Sequence, residues 1–288
     1  MQMTTSHWQR IRTAAAFWLL ATLACAASAA DVVGAVILAK GVVTASGPET
    51  PARTLAKGSE VHHGETIVTA SDSFVVVKMR DDSKVTLRPR SEVTLEAYSE
   101  EPGKEEALFN LVKGGLRALS GSIGKKRPES YRVETSIATI GIRGTDFLVR
   151  LCEDDCRLEE LQYGDKPRQP GGGGDGGSKR KRVLKLGDDN DTSNTGFIEC
   201  RPVSEIKRGL YTAVLDGAIY VLRGLERVEL EAVEALLVED REIICLGDIP
   251  HFILDDDYLS ENPEETVTLF NLLRNIDEDR QQCAIPEA

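Results

Sequence analysis

Cysteines and charged clusters have the widest chemical scope in this chain, and their spacing limits what they can do. Cys152-Glu153-Asp154-Asp155-Cys156 sets two thiols four positions apart across three acids, a pattern open to metal binding or to a short disulfide loop. A structural zinc site needs four converging ligands, and the histidines beyond residue 30 (His62, His63 and His251) stand at no ligand spacing, so no metal is expected. Disulfide bonding is the expectation for Cys152, Cys156, Cys200, Cys245 and Cys283, whose odd number leaves at least one thiol out. Cys152 and Cys156 bridge each other if they flank a turn. If Cys156 instead meets Cys200, the bridge pinches the base of the segment between them.

His62 and His63 are adjacent, so in a strand their rings point to opposite faces, and both read as surface residues. The glycine run from Gly171 ends in Gly177-Ser178-Lys179 rather than the Gly-Lys-Ser/Thr of a phosphate loop, so nucleotide binding is rejected. Asp255-Asp256-Asp257 lacks the alternating oxygens and glycine bend of a calcium loop. Lys179, Arg180, Lys181 and Arg182 are a candidate contact for an acidic partner, although a charge run of this kind is more often a solvated loop. No nucleophile–base pair or carboxylate pair stands out by spacing, so no catalytic residue, no enzyme activity and no cofactor are expected.

The most informative stretch is Val133-Glu134-Thr135-Ser136-Ile137-Ala138-Thr139-Ile140-Gly141-Ile142-Arg143-Gly144-Thr145-Asp146-Phe147. Its β-branched residues favour a pleated backbone, because branching at Cβ restricts χ1 in a helix and packs well on a sheet. Gly141 and Gly144 bracket Ile142-Arg143, which suggests a sharp bend or a close backbone approach. Arg143 has two readings. In one its fork satisfies neighbouring carbonyls or Asp146 and holds the corner; in the other it stays available to an anionic ligand. The structural role is the expectation.

Short strands carry these residues. Val32–Leu38, Val42–Ala45, Thr66–Thr69, Phe74–Met79, Val85–Arg88 and Val93–Ala97 are separated by Gly, Asp, Ser and Pro clusters. Ser73–Arg80 is almost continuously apolar, as a strand covered on both faces should be. Leu108–Leu119 has helical spacing, but Gly114-Gly115 in its middle argues for two strand pieces. Leu210–Leu215 and Ala218–Val221 flank Asp216-Gly217, a strong hairpin signal. Val228–Val238 could be strand or helix, and Glu242–Leu246 reads as a strand. The segment from 240 to 265 is acidic, and Thr266–Arg280 reads as a helix with Asn262 as its cap and Pro263-Glu264-Glu265 at its start.

The first residues read as a secretory signal: Arg10 and Arg12, an apolar run from Ala14 to Ala24, and small residues Ala27-Ser28-Ala29. Cleavage is expected after Ala29 or Ala30. Cys25 lacks a leucine three positions earlier, so a lipoprotein form is not expected. Removing the first 30 residues takes two arginines and no acid, leaving 33 basic against 47 acidic side chains and a net charge of −14. That argues against nucleic acid and anionic membrane surfaces as partners. No later stretch approaches the ~20 apolar residues of a transmembrane helix. Aromatics are few and Val, Ile and Leu plentiful, so the core should be aliphatic.

The central stretch closely resembles the signature of the FecR domain family, a Thr-Ala-x-Ile-Gly-x-Arg-Gly-Thr-acidic-Phe run in an extracytoplasmic β domain. Thr135, Ala138, Gly141, Arg143, Gly144, Thr145, Asp146 and Phe147 carry that likeness as a structural corner. Three further blocks are similar in order: Gly58-Ser59-Glu60-Val61 with Gly64-Glu65-Thr66-Ile67, Asp81-Asp82-Ser83-Lys84-Val85-Thr86-Leu87 with Ser91-Glu92-Val93, and Gly114-Gly115-Leu116-Arg117. Asp82 stands where the family often has glycine, and Ser136 where it usually has proline.

The resemblance implies a mainly β fold, a short-stranded sandwich or solenoid-like domain with an insertion and a C-terminal helix. The organisation expected is a signal peptide (1–30), a FecR-type β domain (31–156), a flexible Gly-rich and basic insertion (157–205), a β extension (206–250) and an acidic tail with a helix (251–288). Family members include regulators that relay a signal to a sigma factor. For this chain the resemblance implies a noncatalytic binding or signalling module, periplasmic or secreted, that docks a membrane or envelope protein. The alternative is an envelope scaffold holding peptidoglycan or exopolysaccharide, which few aromatic platforms support once Trp8 and Trp18 leave with the signal.

Overall fold

The computed structural model describes residues 31–48, 50–153, 156, 183–188, 191–201 and 205–254. Its elements are β1 (Val32–Lys40), β2 (Val43–Ser46), β3 (Arg53–Thr54), β4 (Glu60–His62), β5 (Thr66–Thr69), β6 (Phe74–Met79), β7 (Lys84–Leu87), β8 (Glu92–Ser99) and β9 (Glu106–Leu119). There follow α1 (Ser122–Lys126), β10 (Tyr131–Glu134), β11 (Thr139–Cys152), β12 (Val183–Asp188), β13 (Asp191–Glu199), β14 (Gly209–Arg223), β15 (Glu226–Glu231), β16 (Ala235–Val238), β17 (Ile243–Leu246) and α2 (His251–Leu254). The protein is mainly β, with all these strands in one hydrogen-bonded network.

Two long strands organise it. β9 pairs with β7, β8 and β11 in antiparallel fashion and with β10 in parallel. A parallel pair needs a crossover rather than a tight turn, and the connection from β9 to β10 carries α1 and a 3₁₀ turn, Pro128–Ser130. β11 pairs with β9 on one side and β14 on the other. The main core is aliphatic, as the composition demands, and runs from Val33 to Cys245. A second apolar layer of Leu148, Tyr211, Leu237, Ile244, Phe252 and Ile253 lies apart from it.

Two expectations are corrected and two regions are specified. Glu106–Leu119 is one strand rather than two pieces, because Gly114 at φ +80° and a register shift between Glu92 and Val93 absorb the bend without ending the ladder. Asp216-Gly217 does not reverse the chain: both flanking halves stay paired to β11, and Gly217 at φ +84° forms a bulge. Within the insertion expected over 157–205, residues 183–199 form a hairpin, β12 with β13, and β12 also pairs with β15, while its Gly-rich and basic stretch lies outside the described residues. The ambiguous Val228–Val238 region is strand, turn and strand. The helix expected at Thr266–Arg280 and the Lys179–Arg182 and Asp255–Asp257 runs lie outside the described residues.

Candidate functional site

The signature corner is assembled from the first half of β11. Thr135 Oγ1 accepts the N–H groups of Ile137 and Ala138 at 3.2 and 3.0 Å and donates to the Ala138 carbonyl at 2.9 Å, a side-chain-closed turn before the strand. Gly141 sits opposite Tyr220, whose ring covers the glycine so closely that any Cβ would collide with it. The guanidinium of Arg227 lies 4.3 Å from the centre of that ring. At Gly144 the strand bends at φ +61°, and the register jumps from Arg143↔Ala218 to Asp146↔Asp216.

Thr145 stitches the bend together. Its N–H donates to Ser120 Oγ at 2.7 Å, its hydroxyl donates to the Ala218 carbonyl at 2.5 Å, and the Arg143 N–H donates to its Oγ1 at 3.2 Å. Asp146 is buried and accepts two hydrogen bonds from Arg117, Nε to Oδ1 at 3.0 Å and Nη2 to Oδ2 at 2.9 Å. Phe147 fills the core.

This corrects the structural reading of Arg143. Arg117 on β9 neutralises Asp146, and the Arg143 side chain is exposed, with no hydrogen bond or ion pair among the described residues. Arg117 stood in the Gly-Gly-Leu-Arg block, but its pairing is a tertiary fact invisible in sequence spacing.

Asp81 ties this corner to the turn that the sequence placed before β7. Asp82 takes φ +64°, the left-handed geometry its short polar side chain tolerates. The buried Asp81 carboxylate accepts from Ser83 N–H at 3.1 Å, Ser83 Oγ at 2.6 Å, Tyr98 hydroxyl at 3.2 Å and Ile123 N–H at 3.3 Å. Its carbonyl accepts from Ser122 N–H at 2.8 Å. Burial and the Asp81 charge together push the Tyr98 hydroxyl well above its ordinary value, which keeps it a donor. Asp81 thereby holds α1, whose Ile123 is buried and whose Gly124 packs on Ile142. Lys125 and Lys126 at the end of α1 are exposed, and Lys125 Cγ lies 3.9 Å from where a Cβ on Gly144 would stand.

A second titratable cluster surrounds Glu65. This fully buried carboxylate is met by the Arg53 guanidinium and accepts the His62 N–H at 2.9 Å. Burial opposes its ionisation, but the hydrogen bonds from Arg53 and from the His62 backbone outweigh that and hold it at about 2. His62 Nδ1 lies 3.3 Å from Glu65 Oε1 and 3.0 Å from Arg53 Nη2, so His62 is a half-buried member of this cluster and not a surface residue. His63 is exposed.

Cys152 bridges Cys156, and Cys200 bridges Cys245, which fastens the exit of β13 to β17; Cys283 lies outside the described residues. Arg150 Nε lies 3.4 Å from Cys156 Sγ. Among the described residues no group of three or more metal-ligating side chains converges.

Residues 65–162 match the family model described as FecR protein. The chain carries a FecR domain. The matched segment takes in Glu65, the Asp81 turn, Arg117, α1 and the whole signature, whereas β14 to β17, which complete the sheet on β11, lie beyond it. No curated protein matches the chain. Two solved structures of a proposed anti-sigma factor from Parabacteroides distasonis ATCC 8503 are similar, each at 14% identity and a TM-score of 0.38. They cover 64% of this chain, which spans 60% of their length. No helix among the described residues is long and apolar enough to cross a membrane.

Proposed function

We propose that this protein is a noncatalytic, exported binding and signalling module of the bacterial cell envelope that acts by docking a membrane protein. The observation that carries this reading is the FecR match over residues 65–162, a domain of envelope signalling proteins. The buried polar groups of the matched segment support it. Asp81, Glu65 and Asp146 are each consumed by structural hydrogen bonds, so they position elements and are not held ready for proton transfer. What the corner leaves uncommitted is on its surface: Arg143, Lys125 and Lys126.

The test is crosslinking in living cells with a C-terminally tagged chain, followed by mass spectrometry. Reproducible capture of one inner- or outer-membrane protein is the expected result. Recovery only with cell-wall material would overturn docking and favour a glycan-binding scaffold.

A further inference from the structure

The two disulfides stand in different relations to the fold. Cys200 and Cys245 lie 45 positions apart, and their bridge fastens the end of β13 to β17. A bridge over a long loop removes much of the freedom of the unfolded chain, so this one supports the sheet. Cys152 and Cys156 lie four positions apart, and a loop that short restricts the unfolded chain little. The end of β11 is already held by pairing on both sides, Leu151 to Gly114 and Cys152 to Gly209. The short bridge can therefore open at small cost to the fold.

Access and charge also set it apart. Cys152 is 2% exposed, whereas Cys156 is half-buried against the second apolar layer, so its sulfur is the one open to an incoming thiolate. Arg150 stands two positions before Cys152 on β11, hence on the same face, and is buried. Its Nε lies 3.4 Å from Cys156 Sγ. A guanidinium at that distance favours thiolate over thiol, because the cation stabilises the anion and keeps its own proton. Glu153 opposes this, but it is exposed, so water and salt weaken its charge more than that of a buried arginine. Arg88 lies with Arg150 against Gly115 and is committed to the Phe252 and Ile253 carbonyls. The longer bridge has no such cation among the described residues. Cys245 Sγ lies 3.7 Å from the Leu246 carbonyl, and Arg201, next to Cys200, pairs with Glu242 at 4.0 Å.

We infer that Cys152–Cys156 is a thiol–disulfide exchange site for a dithiol partner, with Cys156 the sulfur attacked and Arg150 the cation that holds it as a thiolate once reduced. The attacking thiolate bonds to Cys156 Sγ as the Cys152–Cys156 bond breaks, and the electron pair leaves on Cys152 Sγ, which takes up a proton. The partner's second thiolate then bonds to the partner's first sulfur and releases Cys156 as a thiolate beside Arg150. The two cysteines gain two electrons and the partner's two thiols become a disulfide. One of the partner's two protons ends on Cys152 and the other in solvent. This chemistry stands apart from the docking function proposed above and does not depend on it.

The test uses the oxidised chain from Asp31 to Ala288, equilibrated with reduced and oxidised glutathione over a range of ratios, alkylated, and read peptide by peptide by mass spectrometry. Cys152–Cys156 is expected to open at ratios that leave Cys200–Cys245 closed. Cys152→Ser is expected to carry glutathione on Cys156. In Arg150→Met the equilibrium constant for reduction of the short bridge is expected to fall by roughly tenfold, the loss of thiolate that removing a neighbouring cation brings. Arg150→Lys, which keeps the charge, is expected to restore most of it. Circular dichroism reports whether each variant is folded, and the comparison of the two bridges in the wild type needs no variant. Opening of both bridges at one ratio, or a short bridge that stays closed at every ratio, would overturn the inference. A folded Arg150→Met chain that exchanges as the wild type does would overturn it as well.

Discussion

Asp146 is 2% exposed, and both its oxygens are met by Arg117. Removing one partner of a buried pair leaves the other charge without compensation and costs about 3 to 5 kcal/mol, while replacing both by apolar residues costs far less. Asp146→Leu is expected to lower the unfolding free energy in urea by about 3 kcal/mol, and Arg117→Leu/Asp146→Leu to recover part of that loss. A double variant no better than the single one would remove the pair from the account of the corner. Glu65 makes a separate statement about pH. Its folded value of about 2 lies below the ordinary 4.5, so its contribution is fully present above about 4.5 and is lost as pH falls toward 2. The melting temperature of the wild type is expected to fall through that window, and that of Glu65→Gln to start lower and fall less steeply. Parallel profiles for the two would show that Glu65 does not set the acid sensitivity.

At the scale of elements, Gly141 matters for what lies over it and not for a bend. Tyr220 from β14 occupies the space of its missing side chain, and Arg227 from β15 covers the ring, so one glycine registers three strands. Gly141→Ala forces the ring off its seat and is expected to cost about 1 to 3 kcal/mol, as overpacking does. Gly141→Ala/Tyr220→Ala should be less destabilised, in urea midpoint, than the two single changes added together; simple additivity would refute the contact. The strands themselves were legible where local chemistry sufficed, as in the continuous apolar run Phe74–Met79 and the turn at Asp81-Asp82-Ser83. Asp216-Gly217 was misleading because the same left-handed glycine serves a hairpin or a bulge, and only the partner strand decides which. The partner of Asp146 could not be read either. Arg143 lies three residues away and Arg117 twenty-nine, yet the antiparallel pairing of β9 with β11 brings only the distant one to it.

Across the whole molecule, one buried side chain connects the strand β7 to the end of the described chain. Arg88, buried just beyond β7, donates from Nη1 to the Ile253 carbonyl at 3.0 Å and from Nη2 to the Phe252 carbonyl at 3.1 Å. α2 has four residues, too few to persist by its own hydrogen bonds, so tertiary contacts must hold it. Phe252 supplies one contact, edge-on to Tyr211 with ring centres 4.9 Å apart, and the Arg88 fork supplies the other by satisfying carbonyls at the helix end. Because hydrogen bonds from a charged donor are worth about 1.5 to 3 kcal/mol, Arg88→Met should release α2 while β7 stays paired. Hydrogen exchange is expected to speed at the Ile253 amide, which donates to the Pro250 carbonyl at 3.1 Å, by roughly tenfold or more and to stay slow in β6 and β7. Unchanged exchange at Ile253 would mean that Phe252 and its apolar layer hold the helix without Arg88. Faster exchange throughout β7 would instead make Arg88 a support of the sheet and not a clasp for α2.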